Sequence, residues 1–356
     1  MKHYFIIIYI LFSIPTCIFS QQIDKEIFIP IEKSKLYVRL IGNESCPIII
    51  NLHGGPGAFS GFDHEYNRHY LEDGYLIAYL DQRGSGKSES FADTSYFTME
   101  QFVEDLDKVV DYLKIQYPES QINLLGSSWG GTLGLLYLIQ HQEKINTFAC
   151  VSGKANGIYP IYALIDYENQ IIQNKKNDNL DSVQSNKYQA MLQKLAEVKK
   201  SDLDQFYNDL NLIKTEYPRE LGFSAYWANK AAQLKAAELA KDPAYFKRAH
   251  YTKEEFNTAM KKFDNVNRVF RNTSEYNHLN ILDKLSIIQT PILVMQGDKD
   301  YAIGPNQGKM IYNALTNKNK SLKIIPNAAH NLNIEAEKEY YTTLLLFFNK
   351  YNLQNL

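Results

Sequence analysis

The chain has 356 residues, of which 45% are hydrophobic and 22% are charged, a composition typical of an ordinary globular protein. This length accommodates one large domain, or one domain with a sizeable insertion. The formal net charge of −2 excludes a general electrostatic attraction to nucleic acid or to an anionic membrane surface.

The N-terminus has the pattern of a secretory leader. Lys2 precedes an apolar run, Pro15 interrupts that run, and small or polar residues follow up to Ser20. This order predicts a signal peptide over residues 1–20, so we expect an exported protein, periplasmic or secreted, without stable membrane insertion after cleavage. A retained N-terminal anchor and a lipid attached to Cys17 are the less favoured alternatives.

Cleavage after Ser20 would leave two cysteines, Cys46 and Cys150. Two cysteines do not make a disulfide framework, and neither lies in the spacing of a metal site. We therefore expect two separate, partly buried thiols, with a pairing between them as the alternative, and no bound metal.

Residues 21–154 alternate strand and helix signals and form the first part of a predicted core domain. Apolar runs predict strands at 26–31, 35–41, 47–52, 75–80, 121–125 and 145–151. Helical spacing covers 99–117 and 129–140. Strands separated by helices of this length predict a mostly parallel sheet.

The next segment, residues 155–285, lacks strand runs of comparable strength. Helical spacing at 184–199, 202–213 and 227–240 predicts an all-helical cap, inserted after the sixth strand. Residues 286–356 return to the first pattern and complete the core domain. Their predicted strands are 291–296 and 321–325, and their predicted helices are 305–315 and 335–351.

The sequence Gly126-Ser127-Ser128-Trp129-Gly130 joins a predicted strand to a predicted helix and fits the pattern G-x-S-x-G. A sharp turn of this kind holds a serine in a crowded backbone conformation, so the flanking positions have room only for glycine. The helix N-terminus favours negative charge that develops beside it. We therefore predict Ser128 as the nucleophile of an enzyme with the α/β-hydrolase fold.

A second glycine-rich segment, residues 53–57, reads His-Gly-Gly-Pro-Gly and follows the strand at 47–52. Its backbone can approach a substrate oxyanion without a side chain in the way. We predict the amides of Gly55 and Trp129 as the two oxyanion donors, with Gly54 as the alternative to Gly55. We expect a structural role for His53.

Residues 81–88, Asp-Gln-Arg-Gly-Ser-Gly-Lys-Ser, contain part of a phosphate-binding pattern. A P-loop requires G-x-x-x-x-G-K-[ST], and Asp81 stands where its first glycine would be. We therefore expect Asp81 and Arg83 to brace the loops at the sheet edge, and we expect no nucleotide.

The acid and the base of a hydrolase triad should follow the nucleophile in that order. Asp298 and Asp300 come directly after the strand at 291–296, and Asp300 is favoured because it lies further along the loop. His330 follows the last strand and precedes the last helix. We predict Asp300 and His330 as partners of Ser128, in acyl transfer that needs no metal or organic cofactor.

These motifs together, with the late His330, resemble the proline iminopeptidase family of α/β-hydrolases. The resemblance covers both parts of the core domain and keeps the order of the motifs. It implies the same triad and oxyanion hole, and an enzyme that removes N-terminal residues, often proline, from short peptides.

The cap departs from that family. Family aminopeptidases bind the free α-amine with cap glutamates, one of them in a Trp-Glu pair, whereas Ala228 and Asn229 follow Trp227 here. Glu275 is only a weak match to the second cap glutamate of that family. We predict an exported serine aminopeptidase. The alternative is a serine esterase or amidase that acts on non-peptide acyl substrates, and the third hypothesis is a non-catalytic binding protein.

Overall fold

A computed structural model describes residues 21–89, 93–176, 180–200, 209, 212–239 and 241–352. The predicted signal peptide, Cys17 and most of the predicted helix at 202–213 therefore lie outside the described residues. Within these ranges, no helix combines the length and the apolar character needed to cross a membrane.

Eight strands form one sheet in the order β1-β2-β4-β3-β5-β6-β7-β8. The strands β1 and β2 pair antiparallel with their neighbours, and β3 to β8 are parallel. This confirms the predicted α/β fold with a mostly parallel sheet. The strands are β1 Gln22–Ile31, β2 Ser34–Asn43, β3 Ile48–Leu52, β4 Leu76–Asp81, β5 Ile122–Ser127, β6 Thr147–Val151, β7 Ile292–Gly297 and β8 Lys320–Ile325.

Helices cover both faces of the sheet and also fill the segment between β6 and β7. The helices of the first part of the core are α1 Ser60–Asn67, α2 Met99–Gln116 and α3 Trp129–His141. Those between β6 and β7 are α4 Tyr159–Lys175, α5 Ser182–Lys200, α6 Tyr217–Leu221, α7 Lys230–Leu239, α8 Pro243–Arg248, α9 Lys253–Phe270 and α10 Ser274–Asn277. The last part has α11 Gln307–Ala314, α12 Leu332–Glu335 and α13 Glu337–Asn352.

The central strands are buried on both faces, as their continuous apolar runs predict. Along β3, the side chains of Ile48 and Ile50 pack in the same cluster as residues of α2 and α3, whereas Ile49 packs with residues of α13. Because β3 to β8 run parallel, their carboxyl ends lie at the same edge of the sheet. In open sheets of this kind, ligands bind at that edge.

The inserted segment has hydrophobic clusters of its own, and its ends meet. An isolated bridge between Asn156 and Asn280 joins its beginning to its end. One cluster packs α4 against α5, and another packs α8 and α9 against Phe59 of the core. The exact domain boundaries at 154 and 285 stay predictions.

The two core cysteines differ in state. Cys150 is a free, buried thiol, and burial raises its pKa to about 12. Cys46 is disulfide-bonded, and because Cys150 is free, its partner is not Cys150. The prediction of two separate thiols is therefore wrong for Cys46, and the alternative pairing of Cys46 with Cys150 is also wrong.

Glu168 on α4 carries an unusual buried carboxyl group. Its side chain is fully buried, and neither carboxyl oxygen has a hydrogen-bond partner among the residues that the structure describes. Burial raises its pKa to about 9, so the folded protein holds a proton there at neutral pH that the unfolded chain releases. Because the folded pKa lies above the unfolded one, this group lowers the free energy of unfolding as pH rises from the unfolded pKa towards about 9.

We expect Glu168→Gln to remove this pH dependence. Between about pH 6 and about pH 8, the free energy of unfolding of the variant should fall by about 2 kcal/mol less than that of the wild type, because the linked proton is absent. Urea denaturation at both pH values measures the difference. An equal fall in the two proteins would contradict the protonated state of Glu168.

Candidate active site

Ser128 lies on the turn between β5 and α3 in a strained backbone conformation, with φ 56° and ψ −116°. A Cβ on Gly126 would collide with the carbonyl oxygen of Gly130, and one on Gly130 with the carbonyl oxygen of Leu52. The two glycines of the motif are therefore required by contact, as the sequence predicts. The hydroxyl of Ser128 does not cap the helix that follows, which leaves it free for chemistry.

Asp300 and His330 contact each other directly. His330 Nδ1 lies 3.0 and 3.1 Å from the two carboxyl oxygens of Asp300, whose side chain is fully buried. Asp300 also accepts hydrogen bonds from the backbone amides of Ala302 and Ile303. These bonds fix the carboxylate, which in turn orients the imidazole so that its Nε2 is left for a second partner.

Asp298, the alternative acid, is not placed beside the histidine. Within the described ranges, one of its carboxyl oxygens is buried without a hydrogen-bond partner, and its backbone amide donates to the carbonyl of Ile325. Between the two aspartates, the geometry favours Asp300.

Ser128 and His330 line the same small cavity of about 30 Å³, and Trp129 lines it as well. The cap closes over this cavity through Tyr226. The ring of Tyr226 lies edge-on to the imidazole of His330, with 5.4 Å between the ring centres. The backbone carbonyl of Tyr226 accepts hydrogen bonds from the backbone N–H of His330 and from the side-chain amide of Asn331. The cap therefore contacts the histidine loop directly.

The predicted oxyanion donors lie around the nucleophile. Trp129 is the first residue of α3, where backbone N–H groups have no partner within the helix. Gly54 lies against Ser128, since a Cβ on Gly54 would stand 3.7 Å from Ser128 Oγ, and Gly55 follows it with φ 121°. The choice between Gly54 and Gly55 as the second donor stays a prediction.

Below this loop, a hydrogen-bonded chain joins His53, Gln82 and Trp129. The amide N–H of Gln82 donates to His53 Nε2, so Nδ1 carries the proton and donates to the carbonyl of Gly54. The Gln82 side chain bonds the carbonyl of His53 and accepts the indole N–H of Trp129. Burial lowers the pKa of His53, which fits the predicted structural role of this histidine.

The segment 81–88 folds around one of its own side chains. The Asp81 carboxylate occupies its centre, where it accepts hydrogen bonds from Ser60, from the Lys87 amide and from the Tyr251 hydroxyl. The side chain of Lys87 bonds Glu26 instead. These contacts confirm that Asp81 braces the loops at the sheet edge.

Arg83 forms the second brace in this segment. Its guanidinium donates two hydrogen bonds, of 2.7 and 2.8 Å, to the buried carboxylate of Asp105 on α2. This planar, two-point contact fixes the loop to the helix beneath it.

Glu275, the one glutamate that the resemblance suggests, does not line the cavity. Glu275 is exposed and its carboxylate accepts the backbone N–H of Met99 at the start of α2. Glu335, which the sequence does not single out, accepts the amides of Ala329 and Ala228 and so ties the cap to the histidine loop. Neither glutamate is among the residues that line the cavity.

Three basic side chains line the cavity instead, and sequence reasoning missed them. They are Lys154, Lys214 and Arg271. Lys154 follows the end of β6 at the ligand-binding edge of the sheet, which is a signal that could have found it. The other two lie in the inserted segment, where local pattern does not show which side chains turn inward.

Comparison with known proteins agrees with this architecture. Residues 47–337 match the family model described as the alpha/beta hydrolase fold. A proline iminopeptidase of Pestalotiopsis fici is 26% identical over 308 residues, covering 86% of this chain and 94% of that protein. A proline iminopeptidase of Thermoplasma volcanium is 24% identical over 316 residues, covering 86% and 89%.

A solved structure extends the agreement to three dimensions. The proline iminopeptidase-related protein of Thermus thermophilus superposes with a TM-score of 0.59 at 19% identity, covering 92% of this chain and 98% of that one. This likeness concerns the fold, whereas the family match covers most of the sequence. The chain therefore belongs to the α/β-hydrolase fold family, and it is a hydrolase that resembles the proline iminopeptidases.

Proposed function

We propose that the protein hydrolyses small acyl substrates through an acyl-enzyme on Ser128. One observation carries this proposal: His330, held by Asp300 at 3.0 Å, shares a cavity with a serine on a strained strand-to-helix turn. A nucleophile, a base and an orienting carboxylate in this order are the parts that serine acyl transfer requires.

The proposed mechanism has two steps. Nε2 of His330 takes the proton of Ser128 as the hydroxyl oxygen attacks the substrate carbonyl, and the leaving group departs with that proton. Water, activated by the same imidazole, then cleaves the acyl-enzyme and restores the serine. The Asp300 carboxylate stabilises the imidazolium formed in each step, and backbone amides at Trp129 and at Gly54 or Gly55 stabilise the oxyanion.

The first candidate activity is removal of N-terminal residues from short peptides. Its support is the resemblance to relatives named proline iminopeptidases, which extends over most of their length. Export by the leader at residues 1–20 remains part of this proposal, because the sequence pattern supports it.

The second candidate is hydrolysis of non-peptide esters or amides, and the cavity favours it. The described residues that line the cavity include Lys154, Lys214 and Arg271 and no carboxylate, so a free α-ammonium group would meet the Arg271 guanidinium and two lysines there, without a counter-charge. Like charges brought together in a desolvated site repel each other strongly.

Blocking the substrate amine separates the two candidates. We expect an aminopeptidase to cleave the para-nitroanilides of proline and alanine and to lose about a hundredfold or more in kcat/KM when their amines are acetylated. Turnover of para-nitrophenyl hexanoate without cleavage of any free-amine anilide would exclude the aminopeptidase and leave the second candidate. Loss of both activities in Ser128→Ala is the control for the serine chemistry.

A further inference from the structure

A wider cavity of about 900 Å³ adjoins the small one at Ser128 and shares Lys214 and Tyr226 with it. This wider cavity adds Arg219, Lys230 and Lys299 to its lining. None of the described residues that line either cavity is an aspartate or a glutamate. The whole chain has 40 acidic and 38 basic residues, so composition does not account for this bias.

Among the described residues, no carboxylate lines the small cavity beside its basic side chains. Within the described part of the chain, the groups that most affect the pKa values of Lys154, Lys214 and Arg271 are these three side chains themselves and the hydroxyls of Tyr226 and Tyr276. Lys154 Nζ lies 3.4 Å from the centre of the Tyr276 ring and bonds the Tyr276 carbonyl. Among the described residues, Arg271 Nε is buried without a hydrogen-bond partner, whereas its guanidinium bonds the hydroxyls of Tyr226 and Tyr276.

Buried charges without counter-charges are costly to a folded protein, and burial lowers the pKa of both lysines, that of Lys154 well below its usual value. Arg271 keeps its charge, and the lysines beside it become charged at low cost only when a ligand supplies the opposite charge. A guanidinium and an ammonium together match a carboxylate, which the guanidinium binds at two points and the ammonium as a point charge.

We propose that the substrate carries a carboxylate that binds between Arg271 and Lys214 while its scissile carbonyl lies at Ser128. This inference rests on the proposed serine chemistry and names the class of substrate: an ester or amide with an anionic group in its acyl part. The wider cavity, with the stacked rings of Tyr167 and Tyr301 in its wall, accepts an apolar or aromatic remainder.

The protonation of Lys214 fits this role. Burial, followed by the charges of Arg271 and Lys154, lowers the pKa of Lys214 to about 7. A bound carboxylate would oppose these effects and favour the protonated lysine, so anion binding should take up a proton and strengthen as pH falls. The other titratable groups that face the cavity are Lys154, Arg271, Tyr226, Tyr276 and His330.

A pair of esters of equal chain length tests the inference. The anionic member is mono(para-nitrophenyl) adipate and the neutral member is para-nitrophenyl hexanoate. We expect the wild-type enzyme to prefer the adipate ester in kcat/KM by about thirtyfold or more, and Lys214→Met to lower that ratio by about tenfold or more. Lys214→Arg should restore most of the preference.

The matched control is Lys114→Met, which removes an exposed lysine of α2 and should leave the ratio unchanged. Free adipate should inhibit the wild type more strongly near pH 6 than near pH 8, because the protonated Lys214 binds the carboxylate. This pH dependence should shrink in Lys214→Met. Both proteins keep His330, so titration of that histidine would not explain a difference between them.

Two failures remain distinguishable. Hydrolysis of hexanoate that depends on Ser128, without preference for the adipate ester and without inhibition by adipate, would overturn the anionic substrate and keep the serine hydrolase. Turnover that survives in Ser128→Ala would overturn the proposed function itself.

Discussion

Replacing Ser128 with alanine is expected to lower kcat by about five orders of magnitude on any substrate that the enzyme turns over. The reason is that the remaining residues cannot form the acyl-enzyme, and only binding and the oxyanion amides continue to assist water. Single-turnover and steady-state rates on para-nitrophenyl hexanoate measure this loss. A fluorophosphonate probe, which reacts with activated serines, should label the wild type and leave Ser128→Ala unlabelled.

The neighbouring Ser127 provides a matched control. It is the last residue of β5 and carries the same hydroxyl one position earlier, but it is not among the residues that line the cavity. We expect Ser127→Ala to keep the rate within about tenfold of wild type and to label fully. Full labelling of Ser128→Ala would place the nucleophile elsewhere.

The sequence allowed the parts of the site on the core domain to be predicted, because each follows the carboxyl end of a strand. Ser128 follows β5, Asp300 follows β7 and His330 follows β8. Buried parallel strands show as continuous apolar runs, and their order along the chain fixes which loops share an edge. Local pattern therefore suffices to bring these three residues to one place.

The lining of the cavity could not be predicted in the same way. Lys214 and Arg271 lie on inserted segments whose packing depends on contacts between helices far apart in sequence, and helical periodicity does not record those contacts. Lys214 belongs to a short π-helical turn, Leu212–Glu216, for which no sequence signal is established. Lys214 and Arg271, which could not be predicted, are the residues that bear on the charge of the proposed substrate.

The disulfide of Cys46 shows another limit. Pairing depends on distance and direction between Cβ atoms, and neither follows from the spacing of cysteines along the chain. Of the two cysteines in the core domain, Cys150 has a free thiol, which excludes a bond between Cys46 and Cys150.

Replacing Asp300 with asparagine is the second large effect, and we expect kcat to fall by about four orders of magnitude near neutral pH. The carboxylate accepts the Nδ1 proton of His330, so Nε2 stays unprotonated and able to act as a base. An asparagine amide can donate to Nδ1 instead, which places the proton on Nε2 and blocks attack by Ser128. It also removes the negative charge that stabilises the imidazolium.

Asp298→Asn makes this prediction specific, because the two aspartates lie two residues apart on the same loop. Among the described residues, Asp298 has a buried carboxyl oxygen without a hydrogen-bond partner, and Nδ1 of His330 contacts Asp300 instead, so the loss of the Asp298 charge should change kcat by less than about tenfold. Rates on para-nitrophenyl hexanoate, with circular dichroism to show that both variants fold, give the comparison. If Asp298→Asn lost the larger share of activity, the acid of the triad would have to be reassigned, and the contact at 3.0 Å between Asp300 and His330 would be structural only.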